Sequence, residues 1–497
     1  IILIIDGAET ISITYEYDDG KLVAVYRDNE AYYYEFIYNS IDQLTSVRIN
    51  DGSNYDILMS YSYLTKSDGS YTYYTNLMTN QSYGNGDYIS FTYTDEDQLK
   101  SIAFNGVVRY EYEYDSYGNL SIYKDIYNSN IYFYSYDLAG RIERITDKDG
   151  NVIEYGYDSL GNVSEYTYKI NGITRDIAYH YDSETGEYEY TQYNFSQTTV
   201  TKEYNYDETD SLRRLENINL LLGTTSLLNT VFTYDDSSVS QSMGNATTRI
   251  YSVEYWLSGT LIRKYRYTYN QNQNITLITV SLAGDVICDR YEYYYDGFNQ
   301  LVRENDLINS GTNDQYARTF TYDYDDQGNI TNIKEYEYIE YYGVPTTLLK
   351  STILEYNNTW ADQLTRKRVY TNGSLTSDIS YSYDDSGNPT AYSYMSLSWD
   401  GRQLSSANSY CRILTYKYDD NGHRVSKTMN ACGGSSSYSY VLDGDKILVE
   451  YRNSDVIYYT YDVDGKLISM NYNGTEYFYI INLQGDVIGL TDAYGNM

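Results

Sequence analysis

The stretch YSYDLAGRIERITDKDGNVIEYGYDSLGNV, residues 134–163, carries the pattern that decides the fold. The string Tyr-x-Tyr-Asp occurs twice within it and eleven times in the 497-residue chain. Random placement of the 72 tyrosines and at most 70 aspartates would give about 1.5 copies. The excess therefore identifies an internal repeat. The copies lie at 15–18, 112–115, 134–137, 155–158, 179–182, 204–207, 293–296, 322–325, 381–384, 416–419 and 459–462.

The turns of the repeat recur every 10 or 11 residues in this stretch, and each places an aspartate three positions before a glycine. An aspartate at the head of a tight turn accepts hydrogen bonds from backbone N–H groups two or three residues on, and glycine supplies the positive φ that the closing position often needs. A unit of about 21 residues therefore predicts two short antiparallel strands. The aspartate–glycine pairs are Asp137 and Gly140, Asp147 and Gly150, and Asp158 and Gly161.

Tyrosines stand at alternate positions before the turns, as in Tyr132, Tyr134 and Tyr136. Alternate residues of a strand point to one face, so we expect a tyrosine stripe on the sheet. Tyrosine fits a half-buried pleated surface, and proline, which removes a ladder hydrogen bond, occurs only twice. The residues predicted to build the repeat motif are Tyr134, Tyr136, Asp137, Gly140, Asp147, Gly150, Tyr155, Tyr157, Asp158, Gly161, Tyr416, Tyr418, Asp419, Gly422, Tyr459, Tyr461, Asp462 and Gly465.

This pattern resembles the RHS/YD repeat of bacterial polymorphic toxins, of the B and C components of insecticidal Tc toxins, and of animal teneurins. The C-terminal part adds WDGRQL at 399–404, YKYDDNGHRVSKT at 416–428 and YDVDGKLISMNYNGTEYFYIINLQGDVIGLTDAYGN at 461–496. These motifs are similar to those of RHS proteins of Gram-positive bacteria, including wall-associated members. The resemblance runs from about Tyr15 to the end of the chain.

The resemblance is weak at 50–90 and 185–290, and 440–497 resembles the segment just before the RHS-associated core. We expect residues 1–497 to form a single continuous repeat region, because each unit of a repeat array contacts chiefly its neighbours. An N-terminal delivery region and a C-terminal toxin are expected to be absent from it.

The fold that the resemblance implies is all-β, with a long antiparallel β-sheet of YD hairpins that spirals into a hollow shell or part of one. The function it implies is a non-catalytic encapsulation and delivery segment of a secreted or cell-surface toxin. Such a shell would enclose a toxin domain encoded downstream and used in contact-dependent competition. The family's self-cleavage signal contains Asp-Pro-x-Gly, whereas the two prolines here follow Val344 and Asn388.

A second hypothesis is a cell-surface adhesion or carbohydrate-binding module of the teneurin type, with a glycan partner. Exposed tyrosines would then act as stacking platforms, and a contiguous exposed aromatic patch would distinguish this function from encapsulation.

The chain carries a formal net charge of −35, which would repel nucleic acid and anionic lipid. Many of the acidic residues are turn aspartates, whose simplest effect is solubility, although an acidic interior would also favour a basic cargo such as a nuclease toxin. The apolar run at residues 1–5 is too short to cross a membrane. We therefore expect neither a nucleic-acid partner nor direct membrane insertion.

Residues suited to catalysis are few, since His180 and His423 are the only histidines and both lie beside YD turns. The segments at 147–150 and 462–465 echo the start of a calcium loop but lack its remaining ligands. We expect no catalytic residue, no cofactor and no metal site.

Two local structures have alternative interpretations. Residues 211–223 form either a helix or a pair of strands following a decayed YD turn. A loop of Asp420-Asn421 would set Cys411 opposite Asn430, too far from Cys432 for a disulfide. A loop of Asn421-Gly422 would instead set the two cysteines directly opposite each other.

Overall fold

The structure is a computed structural model, and it describes residues 2–5, 9–27, 32–209, 212–235, 248–308, 317–340, 343–357, 360 and 362–497. Strands account for almost all of its regular structure, and their pairings join consecutive strands in antiparallel fashion. The prediction of an all-β chain built from a long antiparallel sheet is therefore confirmed.

Strands β1–β30 belong to a 30-stranded sheet, here called the first sheet, and β31–β42 belong to a 12-stranded second sheet. The first 15 strands are β1 Ile2–Ile5, β2 Glu9–Asp18, β3 Lys21–Arg27, β4 Tyr33–Tyr38, β5 Leu44–Asn50, β6 Tyr55–Asp68, β7 Tyr71–Tyr83, β8 Tyr88–Tyr93, β9 Leu99–Phe104, β10 Val107–Tyr114, β11 Leu120–Asp125, β12 Asn130–Tyr136, β13 Ile142–Asp147, β14 Val152–Tyr157 and β15 Val163–Ile170. The next 15 are β16 Ile173–Tyr181, β17 Tyr188–Phe195, β18 Thr198–Tyr206, β19 Leu215–Leu222, β20 Thr225–Tyr234, β21 Ile250–Leu257, β22 Thr260–Tyr269, β23 Ile275–Leu282, β24 Val286–Tyr295, β25 Leu301–Ile308, β26 Arg318–Tyr324, β27 Ile330–Glu337, β28 Leu348–Tyr356, β29 Leu364–Thr371 and β30 Ser374–Ser380. The second sheet comprises β31 Ser382–Tyr383, β32 Pro389–Tyr392, β33 Met395–Asp400, β34 Gln403–Ser409, β35 Arg412–Tyr418, β36 Arg424–Ala431, β37 Gly434–Asp443, β38 Lys446–Arg452, β39 Asp455–Tyr461, β40 Leu467–Tyr472, β41 Thr475–Ile481 and β42 Val487–Asp492.

The helix alternative for residues 211–223 is wrong for the part that the structure describes. Residues 215–222 form β19, which pairs with β18 on one side and with β20 on the other. Residue 211 lies outside the described residues. The leucines of β19 contribute to the core of the second unit, where Leu220 is buried and Leu222 packs against the buried cluster. Ala283–Asp285, a single 3₁₀ turn, is the one helical segment among the described residues.

The chain divides into two compact units. The first unit comprises residues 1–132, 321–335 and 348–438, and the second comprises 133–320, 336–347 and 439–497. In each unit, strands of the first sheet pack against strands of the second sheet that are more than 200 residues away in the chain. The expectation that each repeat contacts chiefly its neighbours did not include these distant contacts.

The core of the second unit combines aliphatic side chains with tyrosines. Tyr168 and Ile170 of the first sheet and Leu448 and Phe478 of the second sheet are all 0% exposed. Tyrosine can lie in such a core when its hydroxyl has a hydrogen-bond partner. The tyrosine-rich sequence is therefore compatible with a dry interface between sheets.

The first unit contains a close approach between the loop after β7 and a turn of the second sheet. A Cβ atom on Gly84 would lie 2.5 Å from the backbone oxygens of both Asp385 and Ile57. Next to it, the side-chain amide of Asn85 donates to Asp384 Oδ2 at 3.0 Å. The backbone N–H of Asn85 also donates to Ser386 Oγ at 3.0 Å. Only a glycine allows this backbone contact.

Cys411 and Cys432 form a disulfide, with their Cα atoms 5.3 Å apart. Of the two registers considered, the one that sets Cys411 opposite Asn430 is wrong, because Asn430 pairs with Ile413. The loop that produces the observed register is nevertheless longer than the proposed Asn421-Gly422 pair.

The loop between β35 and β36 runs from Asp419 to His423, where the Asp419 N–H donates to the His423 carbonyl at 2.9 Å. A register shift between Lys417 and Tyr418 compensates for the extra residue. The bulge, which was not visible in the sequence, therefore brings the cysteines opposite each other.

We predict that Gly84→Ala lowers the free energy of unfolding by about 1–3 kcal/mol, because the added methyl group would overlap two backbone oxygens. Urea denaturation of the full chain measures the change. Gly433→Ala is the matched control, since a Cβ there meets nothing within 4 Å. Equal effects of the two substitutions would contradict the close approach.

Candidate functional site: the aspartate turns and their tyrosines

The turn at Asp158 shows how the repeat motif folds. The Asp158 N–H donates to the Asn162 carbonyl at 2.9 Å, and the Gly161 N–H donates to the Asp158 carbonyl at 3.2 Å. Asp158 Oδ1 accepts the backbone N–H groups of Leu160 at 2.9 Å and Asn162 at 2.8 Å. Gly161 has a φ of 94°, a conformation that a side chain disfavours. The carboxylate thus replaces the ladder bonds that the turn interrupts.

The second carboxylate oxygen binds the side chain four residues after the aspartate. At Asp158 this partner is the amide of Asn162, at 2.9 Å from Oδ2. The Arg141 guanidinium takes the same place at Asp137, and the His423 imidazole takes it at Asp419. Turns with the same backbone and Oδ1 hydrogen bonds begin at Asp115, Asp137, Asp147, Asp296, Asp325, Asp384, Asp419 and Asp492.

Hydrogen bonds to the charged form lower the pKa values of turn carboxylates. The backbone N–H and the guanidinium of Arg141 lower the pKa of Asp137. The side-chain amide of Asn162, followed by backbone N–H groups, lowers the pKa of Asp158. These turns are therefore stabilised by ionised aspartate.

At many turns the tyrosine that ends a strand donates its hydroxyl to a backbone carbonyl of an earlier strand. The Tyr157 hydroxyl donates to the Ile142 carbonyl at 2.8 Å, and the Tyr181 hydroxyl donates to the Val163 carbonyl at 3.1 Å. Both acceptors are residues at which a strand restarts after the previous turn, so the bond ties successive turns together. A hydroxyl bond to a backbone carbonyl near the start of an earlier strand is also made by Tyr38, Tyr63, Tyr114, Tyr234, Tyr269, Tyr295, Tyr356, Tyr383, Tyr418 and Tyr461. For Tyr93 the acceptor is Met78, in the middle of β7.

Several turns of this kind have no Tyr-x-Tyr-Asp string. Asn270 heads one in which its Oδ1 accepts the N–H groups of Asn272 and Asn274, and Gln273 takes a positive φ of 70° in place of glycine. Asn39 heads another. The Tyr-x-Tyr-Asp pattern does not include these turns, but the string Tyr-x-Tyr-Asn at 267–270 indicates the Asn270 turn. The Asn270 turn lies within 185–290, where the sequence signal of the repeat is weak.

In the first unit, tyrosines of the first sheet bond to a turn of the second sheet. The hydroxyls of Tyr112 and Tyr123 donate to the two carboxylate oxygens of Asp420, at 2.6 and 3.0 Å. The Tyr110 hydroxyl donates to the Tyr418 carbonyl at 3.0 Å. Burial and the Asp420 carboxylate raise the pKa values of Tyr112 and Tyr123. The hydroxyls therefore stay protonated and act as donors.

The second unit repeats this arrangement at the Asp462 turn. Asp462 is 0% exposed, and its Oδ2 accepts the Tyr204 hydroxyl at 2.5 Å and the Lys202 ammonium at 2.8 Å. Burial lowers the pKa of Lys202 while Asp462 opposes that effect. The Tyr168 hydroxyl donates to the nearby Tyr459 carbonyl at 2.8 Å. Turns of the second sheet are thus acceptors for side chains of the first.

Asp443 and Glu476 extend the polar contacts of this unit. The hydroxyls of Tyr155 and Tyr166 donate to the two oxygens of Asp443, at 2.5 and 2.8 Å. Arg175, which is 6% exposed, donates to Glu476 at 2.7 Å, and Glu476 is 1% exposed. Removing one partner of such a buried ion pair would leave an uncompensated buried charge, even though the intact pair adds little net stability.

The predicted repeat-motif residues have two local roles, since the tyrosines end strands and the aspartates and glycines form turns. Tyr134 and Tyr136 end β12, Tyr155 and Tyr157 end β14, Tyr416 and Tyr418 end β35, and Tyr459 and Tyr461 end β39, while the paired aspartates and glycines form the turns. What the sequence could not reveal is the long-range partner of each tyrosine. Asp443, Arg175 and Glu476, which contact the opposite sheet, were also missed because none belongs to the Tyr-x-Tyr-Asp string.

The histidines occupy structural positions. The His180 ring stacks on Tyr190 with their centroids 4.1 Å apart, and His423 Nδ1 lies 3.3 Å from Asp419 Oδ2. Among the described residues, no group of three or more His, Cys, Asp and Glu side chains is placed to hold a metal ion. The same part of the chain holds no helix long and apolar enough to span a membrane.

Comparison with known proteins bears directly on the repeated turns. Residues 136–169 match the model of the RHS repeat, and they contain β13, β14 and the Asp137, Asp147 and Asp158 turns. Residues 136–169 are thus similar to an RHS repeat. The predicted resemblance to the RHS/YD family is confirmed.

Curated relatives of this chain include nucleases of Bacillus. The tRNA3(Ser)-specific nuclease WapA of Bacillus spizizenii is 37% identical over 126 residues, which is 24% of this chain and 5% of that protein. The tRNA nuclease WapA of Bacillus subtilis is 30% identical over 212 residues, or 40% of this chain and 8% of that protein. The aligned part of this chain thus covers less than a tenth of the length of either relative.

Solved structures similar to this chain include Tc toxin complexes. A crystal structure of TcdB2-TccC3-Cdc42 aligns at 12% identity with a TM-score of 0.34, covering 97% of this chain and 32% of that one. A Tc holotoxin pore of Photorhabdus luminescens aligns at 11% identity with a TM-score of 0.33, covering 99% and 32%.

We predict that Tyr157→Phe lowers the free energy of unfolding by about 1 kcal/mol, because the Ile142 carbonyl loses its hydroxyl donor while the ring remains. Urea denaturation and amide hydrogen exchange around Ile142 measure the loss. Tyr117→Phe is the control, since Tyr117 is 90% exposed and its hydroxyl has no partner in the described part of the chain. A Tyr157→Phe variant as stable as this control would refute the tyrosine bond.

Asp158→Asn should lower the free energy of unfolding at neutral pH. In acid the variant and the parent chain should have the same stability. A carboxyl whose pKa is lowered by folding contributes stability above its unfolded pKa of about 3.9, and this stability is lost as the pH falls through the folded pKa. Thermal unfolding at a series of pH values from about 7 to about 2 measures the difference. Asp149→Asn, at an exposed carboxylate beside Lys148, is the control. A difference for Asp158→Asn that does not change with pH would contradict the role of its charge.

Proposed function

We propose that this chain is a non-catalytic segment of the shell of a secreted or cell-surface RHS toxin. In this proposal the shell encloses a C-terminal toxin domain and delivers it in contact-dependent competition. The observation that carries the proposal is the match of residues 136–169 to the RHS repeat together with sequence similarity to Bacillus WapA nucleases. The repeat region is proposed to run continuously over residues 1–497.

The geometry of the turns supports a wall-forming role. Tyrosine hydroxyls tie each turn to the previous one, and further tyrosines bond the first sheet to turns of the second, as at Asp420 and Asp462. These polar bonds satisfy the tyrosine hydroxyls inside the interface, so two tyrosine-rich sheets can be packed face to face. Such a construction suits a wall better than it suits a catalytic pocket.

The enclosed domain is proposed to be a tRNA nuclease encoded elsewhere in the same gene. The two relatives are named as tRNA nucleases, and the similar segment is a small part of each. The net charge of −35 makes this chain unsuited to binding tRNA itself, whereas it would attract a basic nuclease.

Secretion or surface display is supported by the disulfide between Cys411 and Cys432. Structural disulfides form and persist chiefly in oxidising compartments outside the cytosol.

Adhesion to a carbohydrate surface is the second candidate function. It is favoured by solvent-exposed tyrosines, since Tyr394 is 93% exposed and Tyr410 is 102% exposed. Rings of this kind can provide contact area for a partner at low entropic cost.

The decisive experiment is to read the gene beyond the codon for Met497 and to digest the whole gene product with a protease. Encapsulation predicts a C-terminal domain of unrelated sequence that resists the protease in the whole product. Tyr204→Phe, which removes a bond to Asp462, should speed its digestion, whereas the exposed control Tyr117→Phe should not. A stop codon near Met497, or a domain digested as fast as the same domain alone, would contradict encapsulation. Binding to purified cell walls would then favour adhesion.

A further inference from the structure

One hairpin departs from the turn pattern of the first unit. Strands β6 and β7 have 14 and 13 residues and are the longest described strands. The Tyr63 hydroxyl donates to the Leu44 carbonyl at 2.8 Å, and the Tyr93 hydroxyl donates to the Met78 carbonyl at 2.6 Å. These are the bonds that flank a turn elsewhere. Residues 64–77, which we call the arm, therefore occupy the place of a turn and extend beyond it as a hairpin.

The arm is anchored on both sides. Lys66 forms an ion pair with Asp97 in the turn between β8 and β9. Gln43, in the turn between β4 and β5, donates its side-chain amide to the Thr75 carbonyl at 2.7 Å and to Asn76 Oδ1 at 3.0 Å. A two-stranded hairpin is marginally stable alone, so these contacts hold the arm in one position.

Tyrosines of the arm are exposed, unlike Tyr63 and Tyr93, which flank it and are half-buried. Tyr71 is 81% exposed, Tyr73 is 50% exposed and Tyr74 is 48% exposed. Their hydroxyls have no hydrogen-bond partner among the residues that the structure describes. Tyr71 faces Asp68 and Tyr73 faces Lys66 in the register, so the rings of Tyr71 and Tyr73 lie on one face of the arm. An exposed pair of large rings marks an interaction surface.

The surroundings of the arm are acidic. The arm and the turns at 39–43 and 94–98 carry five carboxylates against a single ammonium group, that of Lys66. Asp68, Asp95 and Glu96 are exposed and have no ion-pair partner within the described ranges. The face of an aromatic ring attracts cations as well. The rings and the carboxylates therefore both favour a positively charged partner.

We propose that the arm is a docking site for a cationic polypeptide surface. Arginine or lysine side chains of the partner would lie over the rings of Tyr71 and Tyr73 and pair with Asp68, Asp95 and Glu96. The chain makes the same contact internally, since the Arg48 guanidinium lies 4.3 Å from the centroid of the Tyr55 ring. A neutral polysaccharide would use the rings without the carboxylates, and a nucleic acid would be repelled by them.

The test uses the full chain and a probe peptide of alternating arginine and glycine, with binding measured by calorimetry. The double variant Tyr71→Ser, Tyr73→Ser should raise the dissociation constant about tenfold, because it removes two cation–π contacts. The control Tyr394→Ser, Tyr410→Ser removes two exposed tyrosines elsewhere and should bind like the parent. No binding by the parent, or equal weakening in both variants, would overturn the proposal.

Two further variants separate the proposed chemistry from non-specific apolar association. Tyr71→Leu, Tyr73→Leu keeps apolar area at the tip and should bind the peptide as weakly as the serine variant. Asp95→Asn, Glu96→Gln keeps the rings and should also weaken binding, more strongly at low salt. Peptide binding retained by the leucine variant would overturn the cation–π contact. Tyrosine-dependent binding of the neutral polysaccharide laminarin with no binding of the peptide would assign the arm to a glycan instead.

Discussion

The bond from a tyrosine hydroxyl to a backbone carbonyl is the interaction on which the sheets depend. A turn interrupts the ladder, and the carbonyl where the next strand restarts would otherwise need water. The hydroxyl of Tyr157 satisfies such a carbonyl at Ile142, while the Asp158 carboxylate satisfies the N–H groups inside the turn. Burying a polar group without a partner is costly, so each repeat carries both residues together. This constraint explains why tyrosine and aspartate recur as a pair.

The sequence was sufficient to predict local structure, because local structure depends on residues close in the chain. The turns at Asp137, Asp147 and Asp158 follow directly from the spacing of aspartate and glycine. The packing of the first sheet on the second could not be predicted in the same way. The partners in Tyr112–Asp420 and Arg175–Glu476 are about 300 residues apart, and no periodicity links them. The bulge that aligns the cysteines was invisible for a similar reason, since it changes the register without changing the spacing.

The proposed wall and the proposed docking arm use the same residue in opposite ways. Where a tyrosine hydroxyl has a partner, as at Tyr204, the ring is buried and the bond joins two sheets. Where the chain extends beyond the turn, as at Tyr71, the ring is exposed and available to another molecule. A repeat protein can thus gain a binding surface by lengthening one turn, because the flanking tyrosine bonds still close the sheet.

A double-mutant cycle on Tyr112→Phe and Asp420→Ala is the most direct test of the claim that tyrosines of the first sheet are bonded to turns of the second. The four free energies of unfolding, from parent, single and double variants, give the coupling between the two side chains. The 2.6 Å hydrogen bond to a carboxylate predicts a coupling of about 1.5–3 kcal/mol. Additive effects of the two substitutions would contradict the account.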